Sequence, residues 1–193
     1  MKSSLDLPQI NIQKSNLSDI KSALTKEWII TNGLGGYASS TVLGLNTRKY
    51  HGLLVAAFNP PVNRWVLLTK LDEEIQIGTK NFLLGANEFR GIIFPDGYKF
   101  LSEFSISPLP VFRYSVDDLV LKKTIFMPYK KNSTIVIYEA ENFSENRVTI
   151  KISPLINSRH IYDVTENADL TWNFVQKRFM EGVIIEPSDS ISS

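Results

Sequence analysis

From His51 to Ile156 the chain is a succession of short apolar segments broken by turns, with almost no helical periodicity. "HGLLVAAF", "RWVLLTKLDEEIQI", "PVFRYSV", "LVLKKTIFM", "STIVIYEAEN" and "RVTIKISPLI" are rich in β-branched, leucine and aromatic residues, the types that fit a pleated surface. Between them stand "FNPPVN", "FPDGY", "VDDL", "PYKKN" and "NFSEN", which carry the Pro, Gly, Asn and Asp chemistry of turns. Strands that follow one another without intervening helices pair antiparallel, so the pattern predicts an all-β antiparallel sandwich. Hairpins are expected at Asp117-Asp118 and at Tyr129 to Asn132. The only helical stretch is "SNLSDIKSALTKEW": Ser15 or Ser18 can cap it, and Leu17, Ile20 and Leu24 form one stripe. It predicts one short N-terminal helix over residues 16–26. A sandwich of 193 residues is expected as a single domain over 1–193, with residues 187–193 a loose tail or linker.

Two of the strands are apolar on both faces. In "HGLLVAAF" one face is Leu53, Val55 and Ala57 and the other is Leu54, Ala56 and Phe58; "STIVIYEA" behaves likewise. A half-exposed strand alternates apolar with polar, so these strands call for cover on their second face. A helix of this chain, a second copy of it or a further domain would each supply that cover.

Composition removes several function classes. A formal net charge of +1 creates no field to attract nucleic acid or an anionic membrane. The absence of cysteine excludes disulfides, thiol nucleophiles and cysteine metal sites. The stretch "MKSSLDLPQINIQKSN" contains no apolar h-region, and no run approaches a membrane span. The expectation is therefore a cytoplasmic protein, and the N-x-S/T triplets at Asn16, Asn132 and Asn142 read as chance.

Five of the ten glycines fall between Thr31 and Ala57. "GLGGYA" fits G-x-G-x-x-G/A, but Gly44, Asn46 and Gly52 break the helix that a dinucleotide site needs, and no acid follows at the required distance. No Gly-Lys-Ser/Thr follows for a P-loop, and no G-x-S-x-G elbow is present. His51 and His160, the only histidines, form no H-x-x-x-H pair, so neither a metal nor another cofactor is expected. Glycoside chemistry needs two carboxylates flanking one bond. "LDEEI" (Asp72, Glu73, Glu74), "VDDL" (Asp117, Asp118) and "YEAEN" (Glu139, Glu141) are candidates, read here as structural or solvated groups. Asp72, at the end of a long apolar strand, is the least ordinary, and Lys70 is placed to pair with it. No catalytic residue is assigned.

The segment "EWIITNGLGGYASSTVLGLNTRKYHGLLVA…PPVNRWVLLTKLDEEI", Glu27 to Ile75, resembles the N-terminal domain of bacterial and archaeal type glycogen debranching enzymes. Weaker similarity continues through "PLINSR" to "GVIIEP". The resemblance implies a β-supersandwich of the galactose-mutarotase-like type, noncatalytic and docked on an (α/α)6 barrel. That barrel carries the carboxylates that hydrolyse α-1,6 branch linkages in glycogen or limit dextrin, and it would cover a two-faced strand. Where the family pattern after Pro154 leads to expect Arg-Asp-aromatic-His, this chain reads Arg159-His160-Ile161-Tyr162.

Planar groups that bond adjacent hydroxyls, and aromatic faces, are what hold sugars. Asn32, Tyr37, Arg48, Tyr50 and His51 are accordingly the candidate substrate-binding or interdomain residues. Gly33, Gly35 and Gly36 would let their loop approach a partner domain without Cβ clashes. Read as a strand, "RKYH" puts Arg48 and Tyr50 on one face, with Lys49 and His51 on the other. The expected partners are the catalytic barrel and an α-glucan, with a second copy of the chain as a further way to cover an apolar sheet. An independent α-glucan-binding module and a purely structural domain are the alternatives.

Overall fold

The computed structural model of the protein describes residues 9–164 and 174–187. In chain order its elements are β1 (Ile10–Gln13), α1 (Lys14–Leu17), α2 (Ile20–Ala23), β2 (Glu27–Thr31), β3 (Tyr37–Thr41), β4 (Gly52–Asn59), β5 (Val62–Ile77) and β6 (Lys80–Leu83). They continue with β7 (Ala86–Phe89), β8 (Ile92–Asp96), a 3-10 turn (Gly97–Phe100), β9 (Leu101–Ile106), β10 (Pro110–Val116) and β11 (Leu119–Phe126). The last are β12 (Ile135–Asn142), β13 (Val148–His160), β14 (Phe174–Phe179) and β15 (Gly182–Pro187). The tail beyond Pro187 lies outside the described residues.

The chain divides into two compact units, Met1–Tyr162 and Asp163–Ser193. The described part of the second is the antiparallel hairpin β14–β15, in register from Phe174↔Pro187 to Phe179↔Gly182. The first is the antiparallel all-β sandwich expected from the strand pattern. One sheet has the order β1-β9-β10-β11-β12, and the other β13-β5-β4-β3-β2 with β6 also on β5. A small hairpin, β7–β8, stands apart from both.

Period-two burial makes the core. Along β10 and β11, Phe112, Tyr114, Val116, Leu119, Leu121 and Ile125 point inward and their neighbours are less buried. They pack with Trp28, Leu53, Ile75 and Ile77 of the facing sheet. Asp117 and Asp118 form the two-residue connection, with Val116 opposite Leu119. The β11–β12 hairpin also forms, but Phe126 pairs with Ile135 and leaves a longer loop than the turn residues alone suggest.

Three local expectations need correction. The single helix over 16–26 is two one-turn helices, because Asp19 accepts from Ser22 N at 3.2 Å and caps a new helix, while Ser18 Oγ donates back to Lys14 O. Short hydroxyl and carboxylate side chains compete with the helical ladder in this way. "FPDG" is no turn up to Asp96, since Phe94, Pro95 and Asp96 belong to β8. Asp72 lies within β5 rather than at its end.

The second face of β4 is covered in part. Ala56 is buried, Leu54 is half-buried and Phe58 is exposed, while Val55 and Val66 form a cluster of their own with Ile161 and Tyr37. β12 differs: it is an edge strand, and Ile135 and Ile137 remain exposed.

Charged side chains are buried on both sheets, Glu73 and Lys70 on β5 and Lys123 on β11. Glu73 Oε1 accepts from Lys123 Nζ at 2.6 Å and from the Tyr138 hydroxyl at 2.5 Å, with side-chain exposures of 3% for Glu73 and 10% for Lys123. Burial, followed by the Glu73 carboxylate, pushes the Tyr138 and Tyr114 phenols far up, so both keep their protons. Removing one member of a buried pair strands the other charge. Lys123→Met should lower unfolding stability by about 3–5 kcal/mol, and adding Glu73→Leu should restore most of the loss. Denaturant unfolding of the two variants checks this; equal losses in both would show that the pair is not the cause.

Candidate functional site

Asn32 to Gly36 connect β2 to β3, and a side chain sets their path. Asn32 is fully buried. Its Oδ1 accepts from Leu34 N (2.9 Å) and Gly36 N (3.1 Å), and its Nδ2 donates to Lys131 O (2.9 Å) and Asn132 Oδ1 (3.0 Å). A carboxamide has two donors and two acceptor lone pairs, so this one has no capacity left for a ligand. The glycines serve close approach within the domain. Gly35 has φ +95°, and a Cβ there would stand 2.4 Å from Pro61 O; at Gly36 it would stand 2.6 Å from Asn32 Nδ2. Gly33 lies beneath the Tyr129 ring. Arg64 Nε closes the loop from the other side by donating to Gly35 O at 2.7 Å.

Arg48 and Tyr50 lie on a turn, which corrects the strand reading. Asn46 accepts from Ser40 Oγ at 2.7 Å and donates to Thr69 O at 3.1 Å. Thr47 N donates to His51 Nδ1 at 3.1 Å, and His51 N to Arg48 O at 3.0 Å. These local bonds give the backbone an alternative to the sheet ladder, and β4 begins only at Gly52.

The turn borders a groove of about 240 Å³ lined by Tyr37, Arg48, Tyr50 and His51 together with Glu27, Ile29 and Ser39. Four of the sequence candidates thus come together, while Asn32 lies in the loop behind them. Glu27 organises the group: its Oε1 is 2.5 Å from Arg48 Nε and 3.4 Å from His51 Nε2. Because His51 Nδ1 accepts a backbone N–H, the neutral ring carries its proton on Nε2, facing Glu27. Burial lowers the His51 pKa, and Glu27 opposes that shift. The Tyr37 hydroxyl donates to Tyr50 O at 2.8 Å, and burial raises its pKa, so it stays a donor. Arg48 is 62% exposed, and its two Nη groups have no partner among the described residues.

A row of rings leads away from the groove. Centroid spacings are 6.3 Å from Tyr50 to Tyr162, 5.3 Å to His160, 5.9 Å on to Trp65 and 6.4 Å to Phe58. Tyr162 is 64% exposed and Phe58 57%. Lys49 holds the near end, donating to Tyr162 O at 2.8 Å, and Arg159 Nη2 donates to Lys49 O. Residue types alone do not single out Glu27, Tyr162 or Trp65. The signal for Glu27 is its place two residues before Ile29 on one face of β2, and that for Trp65 is its pairing with His160.

Five of the seven carboxylate candidates are engaged by lysines. Lys70 Nζ is 2.9 Å from Asp72 Oδ1, Asn87 Nδ2 donates to Asp72 Oδ2 at 2.9 Å, and Glu73 holds Lys123. Glu74 pairs with Lys151, Asp117 with Lys80, and Glu139 with Lys122. Among the described residues no three His, Cys, Asp or Glu side chains gather as metal ligands.

A family model described as glycogen debranching enzyme N terminal matches residues 26–190. No curated protein matches the chain, and neither does any solved structure.

The His51 shift has a sign. The folded ring resists protonation while the unfolded ring takes its proton near pH 6.5, so this group favours the fold above that value. Stability should fall as pH drops below about 6.5 toward the depressed folded pKa. The decline should be shallower in His51→Gln, as read by thermal melts across pH 7.5 to 5; identical profiles would contradict it.

Proposed function

The chain belongs to the glycogen debranching enzyme N-terminal family, and from that premise we propose that it is the noncatalytic leading domain of an α-1,6-glucosidase. The enzyme would hydrolyse branch points in glycogen and limit dextrin with a separate (α/α)6 catalytic domain. In this reading the Arg48 turn docks on that domain and edges its substrate cleft.

The observation that carries the reading is the Arg48 guanidinium. It is oriented through Nε by Glu27 and keeps its Nη edge uncommitted beside Tyr50. A planar fork of this kind matches a carboxylate of the catalytic domain or a pair of adjacent sugar hydroxyls. The noncatalytic assignment rests on the carboxylates: in each candidate group a lysine engages at least one member, namely Asp72, Glu73, Glu74, Asp117 and Glu139. The row from Tyr50 to Phe58 favours a second reading, in which the domain itself holds an α-glucan. Aromatic faces suit the C–H side of a sugar ring, and affinity of the isolated chain for maltoheptaose separates this reading from docking alone.

In the complete enzyme, Arg48→Ala should lower kcat/KM on limit dextrin about ten- to a hundredfold, the equivalent of a charge-assisted hydrogen bond worth roughly 1.5–3 kcal/mol. The isolated chain should keep its Tm, because so exposed an ion pair contributes little to stability, and it should release no glucose from limit dextrin. Turnover by the isolated chain, or a destabilised variant with unimpaired catalysis, would refute the proposal.

A further inference from the structure

Behind the groove, between the two sheets, lies a chamber that the docking reading does not use. Its walls include Trp28, Ser39, Glu73, Tyr114 and Lys123, and Trp28 and Ser39 also line the groove. Trp28 is 4% exposed, yet its indole Nε1 is buried with no hydrogen-bond partner among the described residues. Two further groups on the wall have spare capacity. The Tyr114 hydroxyl has no hydrogen bond among the described residues, and Glu73 receives both of its bonds on Oε1, leaving Oε2.

Aromatic rings beside a carboxylate, an ammonium and hydroxyls are a composition that suits a sugar. The size of the chamber decides against it. Its volume is about 30 Å³, whereas one water needs roughly 10–15 Å³. A hexose does not enter; one or two waters do. Nor is the chamber of the kind that stays dry, since empty protein cavities are apolar, and an indole N–H buried without a partner is costly.

We propose that the chamber is a structural water site of one or two molecules. One water accepts from Trp28 Nε1–H and from the Tyr114 hydroxyl and donates to Glu73 Oε2. This completes the hydrogen bonding of the seam where Glu73 and Lys123 tie the sheets together. The site belongs to the fold of this chain and does not depend on the docking or glucan readings.

Crystals of the chain, examined as grown, under xenon pressure and after a glucose soak, test the proposal. The expected result is water density at hydrogen-bond distance, about 2.8–3.2 Å, from Trp28 Nε1, unchanged by xenon or glucose. Xenon in the chamber would show it to be dry, glucose would show it to be a ligand pocket, and an empty chamber would leave Nε1 unpaired; each overturns the water site. In solution, the Trp28 indole proton should show a nuclear Overhauser effect to a long-resident water, and its absence would count equally against the site.

Discussion

The Asn32 carboxamide is the interaction on which the candidate docking face depends. Through it the β2–β3 loop is joined to Lys131 and Asn132, in the loop between β11 and β12 of the opposite sheet. Asn132 continues the seam by bonding both the N–H and the carbonyl of Ala57, at 3.2 Å and 2.8 Å, and Thr134 Oγ1 donates to Leu53 O at 2.6 Å. Side chains thus stitch a loop of one sheet along β4 of the other. The glycines let the backbones come close enough for this, and Tyr37, which opens β3, is set against the Arg48 turn as a result.

A second constraint lies deeper. Burying Glu73 and Lys123 costs solvation that their mutual attraction does not automatically recover, so the pair is poor evidence for added stability. What it does supply is registration: a carboxylate on β5 must meet an ammonium on β11 and a phenol on β12. Lys70 acts similarly at the base of the β7–β8 hairpin, where its Nζ donates to Ala86 O at 2.7 Å and Asn87 Oδ1 at 3.2 Å. The groove on the outer face then rests on a wall whose inner side is fixed by charge.

Periodicity made the sandwich legible in the sequence. Alternation in "PVFRYSV" and "LVLKKTIF" specifies which side chains meet the core, and Asp117-Asp118 specifies the turn between them. The same pattern conceals Lys123, which reads as one more solvated charge until Glu73 is seen opposite. "NTRKYH" reads as strand because nothing in residue type announces that His51 Nδ1 and the Asn46 carboxamide will capture backbone groups. Asn32 reads as a sugar ligand for a related reason: its partners at Lys131 and Asn132 lie about a hundred residues away, beyond any local pattern. Tyr37, Arg48, Tyr50 and His51 are close in sequence and line one groove, on one short turn and its neighbouring strand, so a local pattern is enough to group them.

Hydrogen exchange of the chain, alone and with the proposed (α/α)6 catalytic domain, tests the central claim most directly. The account predicts slowed exchange over residues 46–51 and 159–162, at the Arg48 turn and the near end of the aromatic row, with the Ile135–Asn142 edge unchanged. Protection confined to that edge, or no protection at saturating catalytic domain, would contradict it.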